Sequence, residues 1–436
     1  MNEITALYIF HNNLRAFEKL KHQYPDLRAL WYDGRSSLLK GLLDIFELEV
    51  LIIEEDIFDS TQESLSFNLP SNTIVQTGLK QISSNKLANY CIIPSNDTHV
   101  FLFQNLLEHF GQYSFLVPAH DHENSGATLE KLGIPYQIID IKTEAFNEFD
   151  CLFIATDWGH KELMAINKFQ KSNKPTICLQ ESVIHFSDHY KRMEWADYPF
   201  IQGISTLRYL DREIYFLTGN PRYEFLTPED PIIDNIAIIN CNFTYGIHEE
   251  IRATWIEDIV EACQETRFNY QIAQHPRDTG DLSDYNSIRS NASIIHNLIK
   301  KSSITITRFS SLIHESLALG RPVVYYNPHN EEMYYDFEPD DKYLVIAKSK
   351  NELVEALRRL HSNQRSLDHD TDFYESYIER HCGSADSLAS SRIEQAANVI
   401  ANLDERIGKP SPFPYQFINQ NFSKLRNIKN TILNRS

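Results

Sequence analysis

Short apolar runs alternate with amphipathic, helix-length segments along almost the whole chain, and this alternation limits the possible folds more than any other feature. "TALYIF" precedes "NLRAFEKLKHQY", "LRALWY" precedes "SSLLKGLLDIF", and "EVLIIEED" follows. Farther on, "YSFLVPA" precedes "SGATLEKLG" and "YQIIDI", while "CLFIAT" precedes "HKELMAINKFQKS" and "PTICLQ". Strands separated by crossover helices form parallel β-α-β units. The runs are apolar at successive positions, as expected of strands covered by helices on both faces.

The pattern breaks at "LTPEDPIIDN", residues 226–235, where prolines and acidic residues interrupt it. It restarts with "IAIINCNF", the helical "EEIRATWIEDIVEACQET", and strand-like "NYQIAQ", "ASII", "ITIT", "PVVYY" and "YLVIA". A chain of 436 residues exceeds one ordinary core. The expected fold class is therefore α/β, with two doubly wound Rossmann-like domains facing across a cleft. Residues 1–225 would form the first domain, 226–235 a linker, 236–405 the second domain and 406–436 a tail. Ligands of such sheets bind outside the carboxyl ends of the strands.

Composition excludes several function classes. The formal charge of −19 argues against a nucleic-acid partner, which needs clustered Lys and Arg. The start "MNEITALYIFHNN" lacks the basic and apolar regions of a signal peptide, and no apolar run reaches the ~20 residues of a membrane span. A cytoplasmic location is expected. The six cysteines are scattered without a CxxC pair and are expected to be reduced core residues. From Lys409 onward the tail carries Lys409, Lys424, Arg426, Lys429 and Arg435 and no acid. Its apolar residues Phe417, Phe422, Leu425, Ile428, Ile432 and Leu433 recur at near-helical spacing. Such a helix suits an anionic membrane surface or the acidic body of the protein itself.

In the second half, polar clusters follow four strand-like runs. They are Cys241-Asn242-Phe243-Thr244, His275-Pro276-Arg277, Arg308-Phe309-Ser310-Ser311 and Asn327-Pro328-His329. In a parallel sheet all four fall on one edge. Ser310 and Ser311 open a helical segment, where they can cap it or present hydroxyls and N–H groups to a phosphate. His275 can donate to a phosphate oxygen or a ribose, with Pro276 stiffening its approach. Glu315, one turn into the helix, can accept from ribose hydroxyls. Arg277, Arg308 and Arg321 are available to offset a leaving phosphate's charge.

"QHPRD", "TRFSSLIHESLALGRPVVYYNP" and, upstream, "TGNPRYEFL" resemble GT-B glycosyltransferases, especially those using cytidine-activated donors. Bacterial sialyltransferases, 3-deoxy-manno-octulosonic acid (Kdo) transferases and CDP-glycerol or CDP-ribitol phosphotransferases carry a His-Pro pair and a Ser/Thr pair at similar places. The resemblance covers mainly residues 215–350. It implies that His275-Pro276 bind the cytidine nucleotide and Ser310-Ser311 its phosphate, with Arg277, Arg308, Glu315 and Asn327 completing the donor site. It also implies an acceptor-side carboxylate in the N-terminal domain. Glu181 in "TICLQES" ranks first and Asp157 in "FIATDWGH" second, ahead of Asp121, Glu123 and Glu54-Glu55-Asp56. Glu181 is similar to the acid of "EDG"-type motifs, although Ser182 stands where the glycine would be. In retaining β-Kdo transferases the loop after the first strand of the second domain is a place for an Asp nucleophile. Here it holds Asn242, so either that carboxylate lies elsewhere, or the mechanism differs, or the chain is a disabled variant.

The resemblance implies a metal-independent enzyme without cofactors. It would transfer Kdo or a related ulosonic acid from a CMP-activated donor onto a capsule or lipopolysaccharide O-chain, with a lipid-linked glycan acceptor at the inner face of the membrane. The first alternative is a CDP-glycerol or CDP-ribitol phosphotransferase. A UDP-sugar 2-epimerase and a non-enzymatic two-domain ligand-binding protein are further alternatives. Two segments mimic metal motifs, "AHDHE" at 119–123 and "DHDTD" at 368–372, and both read as polar loops before helices.

Overall fold

The computed structural model describes residues 4–33, 42, 46, 48–54, 74–76, 88–119, 124–183, 193–228, 235–244, 246–332, 334–367, 371–383, 386–403 and 406–407. Several sequence expectations lie outside these residues: the basic tail from Lys409, most of the 226–235 linker (229–234), residues 120–123 with Asp121 and Glu123, the carboxylates Glu55 and Asp56, and residues 368–370. The described chain divides into two compact units. No described helix is long and apolar enough to cross a membrane.

The first unit comprises the described residues of Met1–Glu181, His189–Arg222 and Ser387–Ser436. Its strands are β1 (Ala6–Phe10), β2 (Arg28–Trp31), β3 (Val50–Glu54), β4 (Ile74–Gln76), β5 (Asn89–Ile92), β6 (Gln112–Pro118), β7 (Tyr136–Ile139), β8 (Cys151–Ile154), β9 (Thr176–Leu179), β10 (Tyr198–Ile201) and β11 (Ile214–Leu217). They form one parallel sheet in the order β4-β3-β1-β2-β11-β10-β9-β8-β5-β6-β7. The strand order reverses at β5, which lies between β6 and β8, and again at β1, between β2 and β3. Each reversal opens a crevice at the carboxyl ends of its strands. Aromatic side chains fill the core beneath. Phe216 stacks on Phe200 at 5.0 Å and meets Phe10 edge-on at 5.7 Å.

The helix Ala389–Ala401 also packs into this unit. Its buried stripe of Ile393, Ala396, Ala397 and Ile400 joins the core around β1 and β8, and the Tyr90 hydroxyl donates to Asn398 Oδ1 at 2.9 Å. The sequence places this helix in a second domain ending at 405. The structure instead returns it to the first, because its apolar stripe finishes a sheet face there.

The second unit comprises the described residues of Ser182–Asp188 and Tyr223–Asp386. Its strands are β12 (Ile236–Cys241), β13 (Asn269–Gln274), β14 (Ser287–Arg289), β15 (Ile304–Thr307), β16 (Val323–Tyr326) and β17 (Leu344–Ala347). The order β14-β13-β12-β15-β16-β17, all parallel, is the doubly wound one, with its reversal between β12 and β15. "ASII" is not a strand. It opens the helix Ala292–Lys300, because Asn291 caps it by accepting from the Ile294 N–H at 2.9 Å and Ile295 and Ile299 form its buried stripe. The strand in that place is the short β14. All six cysteines are free and buried. Burial pushes the thiols of Cys91, Cys151, Cys241 and Cys382 well up and that of Cys263 up to about 12.

Candidate active site

At the carboxyl edge of the second sheet, the loop after β13 is rigid. The His275 N–H donates to the Cys241 carbonyl at 2.8 Å, and His275 Nδ1 accepts from the Arg277 N–H at 3.1 Å. The second bond assigns the imidazole proton to Nε2, which can donate to a ligand oxygen. Pro276 is exposed, and Arg277 is half-buried beside the histidine. Asp278 is fully buried and joins this loop to the one after β12. It accepts from the Phe243 N–H at 3.0 Å, the Gly280 N–H at 2.9 Å and the Cys241 thiol at 3.3 Å, and pairs with Arg252 Nε at 3.1 Å.

Across the β12–β15 reversal, Asn240 Nδ2 donates to Thr307 Oγ1 at 2.9 Å and Asn242 Nδ2 to the Phe309 carbonyl at 3.3 Å. Asn242 Oδ1 is buried there with no hydrogen-bond partner among the described residues. Ser310 Oγ accepts from the Leu312 N–H at 3.2 Å just ahead of the helix Leu312–Ala318, and Ser311, the N-cap position, is buried without a side-chain capping bond. The Ser310 hydroxyl keeps its own proton to donate. Glu315 is buried, with Oε2 2.6 Å from His296 Nε2.

Three expected phosphate or donor ligands have other employment. Arg308 is buried over the Phe243 ring at 4.3 Å, donating from Nη2 to Glu331 Oε1 at 2.6 Å and from Nη1 to the carbonyls of Asn242 and Ile247, each at 3.4 Å. It is a strut between the loops after β12 and β16. Asn327 closes the loop after β16 on itself, its Nδ2 donating to the Glu331 carbonyl at 2.9 Å and its Oδ1 accepting from the Glu331 N–H at 2.6 Å. Arg321 lies before β16, at the opposite edge of the sheet. It donates to the carbonyls of Lys300 at 2.7 Å and Leu319 at 3.3 Å, where two helices end.

In the first unit, Glu181 follows β9 and its Oε2 lies 3.2 Å from Nε2 of the fully buried His99. The Ser95 N–H donates to His99 Nδ1 at 3.1 Å, so the Nε2 proton points at Glu181. Ser95, after β5, also donates from Oγ to Glu162 Oε1 at 2.5 Å and lies 3.3 Å from Thr156 Oγ1, after β8. These side chains gather at the β5–β8 reversal, the crevice that such sheets use for ligands. Asp157 is not part of that gathering. Its fully buried carboxylate accepts from the N–H groups of Met193 at 2.7 Å, Trp195 at 2.6 Å and Ala196 at 3.1 Å. The role the sequence suggested, a catalytic base, needs an exposed carboxylate, and Asp157 instead folds a loop. Glu54 likewise turns back, Oε2 accepting from the N–H groups of His11 at 2.6 Å and Asn12 at 3.1 Å.

Sequence reasoning missed Asp278, His99 and the His248–His329–Glu331 group. Asp278 stood in "HPRD", but only the folded loop shows its carboxylate turned inward. His99 sits inside a helix, Asp97–Gln104, and carries no strand-end signal. His329 was in view at a strand end, yet its partners lie in a distant loop and two residues on. Burial pushes the His329 imidazole below its ordinary range, against the opposing pull of Glu331.

Residues 265–397 match the family model described as CDP-Glycerol:Poly(glycerophosphate) glycerophosphotransferase. The match begins in the helix before β13 and takes in His275, Arg308, Ser310, Ser311, Glu315 and Asn327. No curated protein matches the chain. Among solved structures, one described as a UDP-N-acetylglucosamine 2-epimerase from Listeria monocytogenes is similar with a TM-score of 0.53 and 13% identity, over 74% of this chain and 98% of that one. The S. aureus MnaA–UDP structure is similar with a TM-score of 0.50 and 13% identity, over 74% of this chain and 100% of that one. A structure of the wall teichoic acid polymerase TagF, H548A, gives 0.49 and 13% over 73% and 91%. At such identities the first two show the fold alone: two parallel-sheet, Rossmann-type domains of the GT-B-like kind.

Proposed function

We propose that the chain is a transferase of GT-B architecture that takes a CDP-activated polyol and passes the polyol phosphate to a hydroxyl of a growing surface polymer. The observation that carries this reading is the family match over residues 265–397, because it spans the strand-end residues after β13, β15 and β16. It favours the CDP-glycerol alternative over the CMP-Kdo donor, for which no finding speaks. His275 Nε2, the Ser310 hydroxyl and Arg277 would hold the donor's phosphates, with Asn242 Oδ1 and Glu315 turned to ribose or base.

The chemistry is displacement at phosphorus. The acceptor oxygen bonds to the β-phosphorus, the bond from that phosphorus to the bridging oxygen breaks, and CMP leaves with the bonding pair. A carboxylate base would take the acceptor proton. Positively charged and N–H donors offset the charge that builds on the leaving CMP.

Thermal stabilisation by nucleotides tests the donor. A ligand that binds only the folded state at one hundred times its Kd adds about 2.7 kcal/mol. CDP-glycerol or CDP should stabilise the chain more than CMP, UDP or GDP, and incubation with CDP-glycerol and a glycerophosphate oligomer should release CMP and lengthen the phosphodiester chain. A CMP preference with turnover of CMP-Kdo would restore the ulosonic-acid reading. A UDP preference would discard both.

A further inference from the structure

His248, His329 and Glu331 stand together at the carboxyl edge of the second sheet, one from the loop after β12 and two from the loop after β16. A ligand atom from each lies within 4.8 Å of the others. His329 Nε2 is 3.5 Å from Glu331 Oε2, and the two imidazole rings are 4.8 Å apart between centroids. We propose that these three side chains bind one divalent transition-metal ion of the zinc class.

The donor set is the first argument. Two imidazoles and one carboxylate form a nitrogen-rich site suited to zinc and its neighbours, whereas magnesium and calcium favour oxygen shells. Metal–ligand bonds of 2.0–2.1 Å in a tetrahedron place ligand atoms about 3.4 Å apart. The His329–Glu331 pair already has nearly that spacing. His248 must close the remainder from a side chain that is 37% exposed and makes one long ion pair, to Glu250 at 3.9 Å.

Orphaned atoms give the second, independent argument. His329 Nδ1 is buried with no hydrogen-bond partner among the described residues, and the buried His329 Nε2 and Glu331 Oε2 have only each other, at the long distance of 3.5 Å. Buried polar atoms so poorly satisfied are rare, and their gathering at one place points to a missing ligand. An anion is the poorer choice because it would face the Glu331 carboxylate. The surroundings also match a ligand shell. Arg308 occupies only Oε1 of Glu331, leaving Oε2 to the ion, and Asn327 clamps the backbone of Glu331 from both its N–H and its carbonyl. Such outer contacts orient first-shell ligands in metal sites. Three protein ligands leave one position for water or an anionic oxygen.

The inference does not depend on the proposed donor. The test uses the full chain stripped with a chelator and titrated with Co²⁺ and Zn²⁺, read by the visible absorption of tetrahedral cobalt and by calorimetry. One equivalent of Co²⁺ should bind and be displaced by Zn²⁺. His248→Gln, which alters a half-exposed ring, should weaken binding at least tenfold, and His248→Gln with His329→Gln should abolish the spectrum. Circular dichroism checks that both variants remain folded. Absence of a tetrahedral spectrum, or the same spectrum in the folded double variant, would overturn the proposal. Calorimetry of CDP-glycerol with chelator present separates the two readings: donor binding there with no cobalt site sinks only the metal.

Discussion

Asp278 carries more of the second unit's site than the histidine three residues before it. Its carboxylate collects the Phe243 and Gly280 N–H groups and faces Arg252, so two loops depend on one buried charge. Arg252 is half-buried and keeps Glu249 at 3.5 Å, so the main cost of losing the carboxylate is the two stranded N–H groups, a hydrogen bond to a charged group being worth about 1.5–3 kcal/mol. Asp278→Ala should therefore lower the urea midpoint by an amount worth roughly 3 kcal/mol; an unchanged midpoint would show that the loops stand without it. His275→Ala should behave oppositely. It should change stability by less than about 1 kcal/mol and weaken CDP binding about tenfold, which is 1.4 kcal/mol, as read by calorimetry. Sequence picks out His275 because a strand-end His-Pro is a local pattern. It is silent on Asp278, whose inward turn depends on Arg252 and Phe243, far away in the chain.

At the scale of elements, the apolar runs made most strands of both parallel sheets legible, since each is a local signal of several buried residues, but β4, β5, β10, β11 and β14 went unread. What stayed illegible was order. Nothing local tells β11 to pair with β2, or the helix Ala389–Ala401 to return to the first unit, because those contacts join distant segments. "ASII" failed for a different reason: four apolar residues fit a strand or a helix, and the Asn291 cap decided it. The crevice at the β5–β8 reversal also holds a close approach at a glycine. A Cβ at Gly159, before the helix His160–Lys171, would lie 2.0 Å from Glu162 Oε2, the carboxylate that holds Ser95. Gly159→Ala should displace Glu162 and cost roughly 1.5–3 kcal/mol, the range for a lost hydrogen bond to a charged group. In a Glu162→Ala background the same change should cost little, a coupling that a double-mutant cycle of denaturation measures directly. Additive costs would mean that the clash is relieved elsewhere.

Over the whole molecule, the chain leaves the first unit, builds the second, and comes back to complete the first. The return is fastened by charge as well as by packing. Arg406 Nε donates to Asp197 Oδ2 at 3.0 Å and Nη2 to Oδ1 at 2.5 Å, and both side chains are buried. Asp197 also accepts from the Thr176 N–H and hydroxyl and from Gln170, so the pair ties the returning segment to β9 and its preceding helix. Such a buried pair adds little net stability compared with a well-packed apolar replacement, but half of it is costly. Arg406→Ala would leave Asp197 charged and buried, and should destabilise the first unit by about 3 kcal/mol. The residues proposed to bind the nucleotide all belong to the second unit, so calorimetry below the melting temperature should find CDP affinity unchanged in this variant. A fall in stability with affinity preserved would establish the returning segment as a structural closure of the first unit, whereas lost affinity in a folded variant would overturn the assignment of nucleotide binding to residues of the second unit.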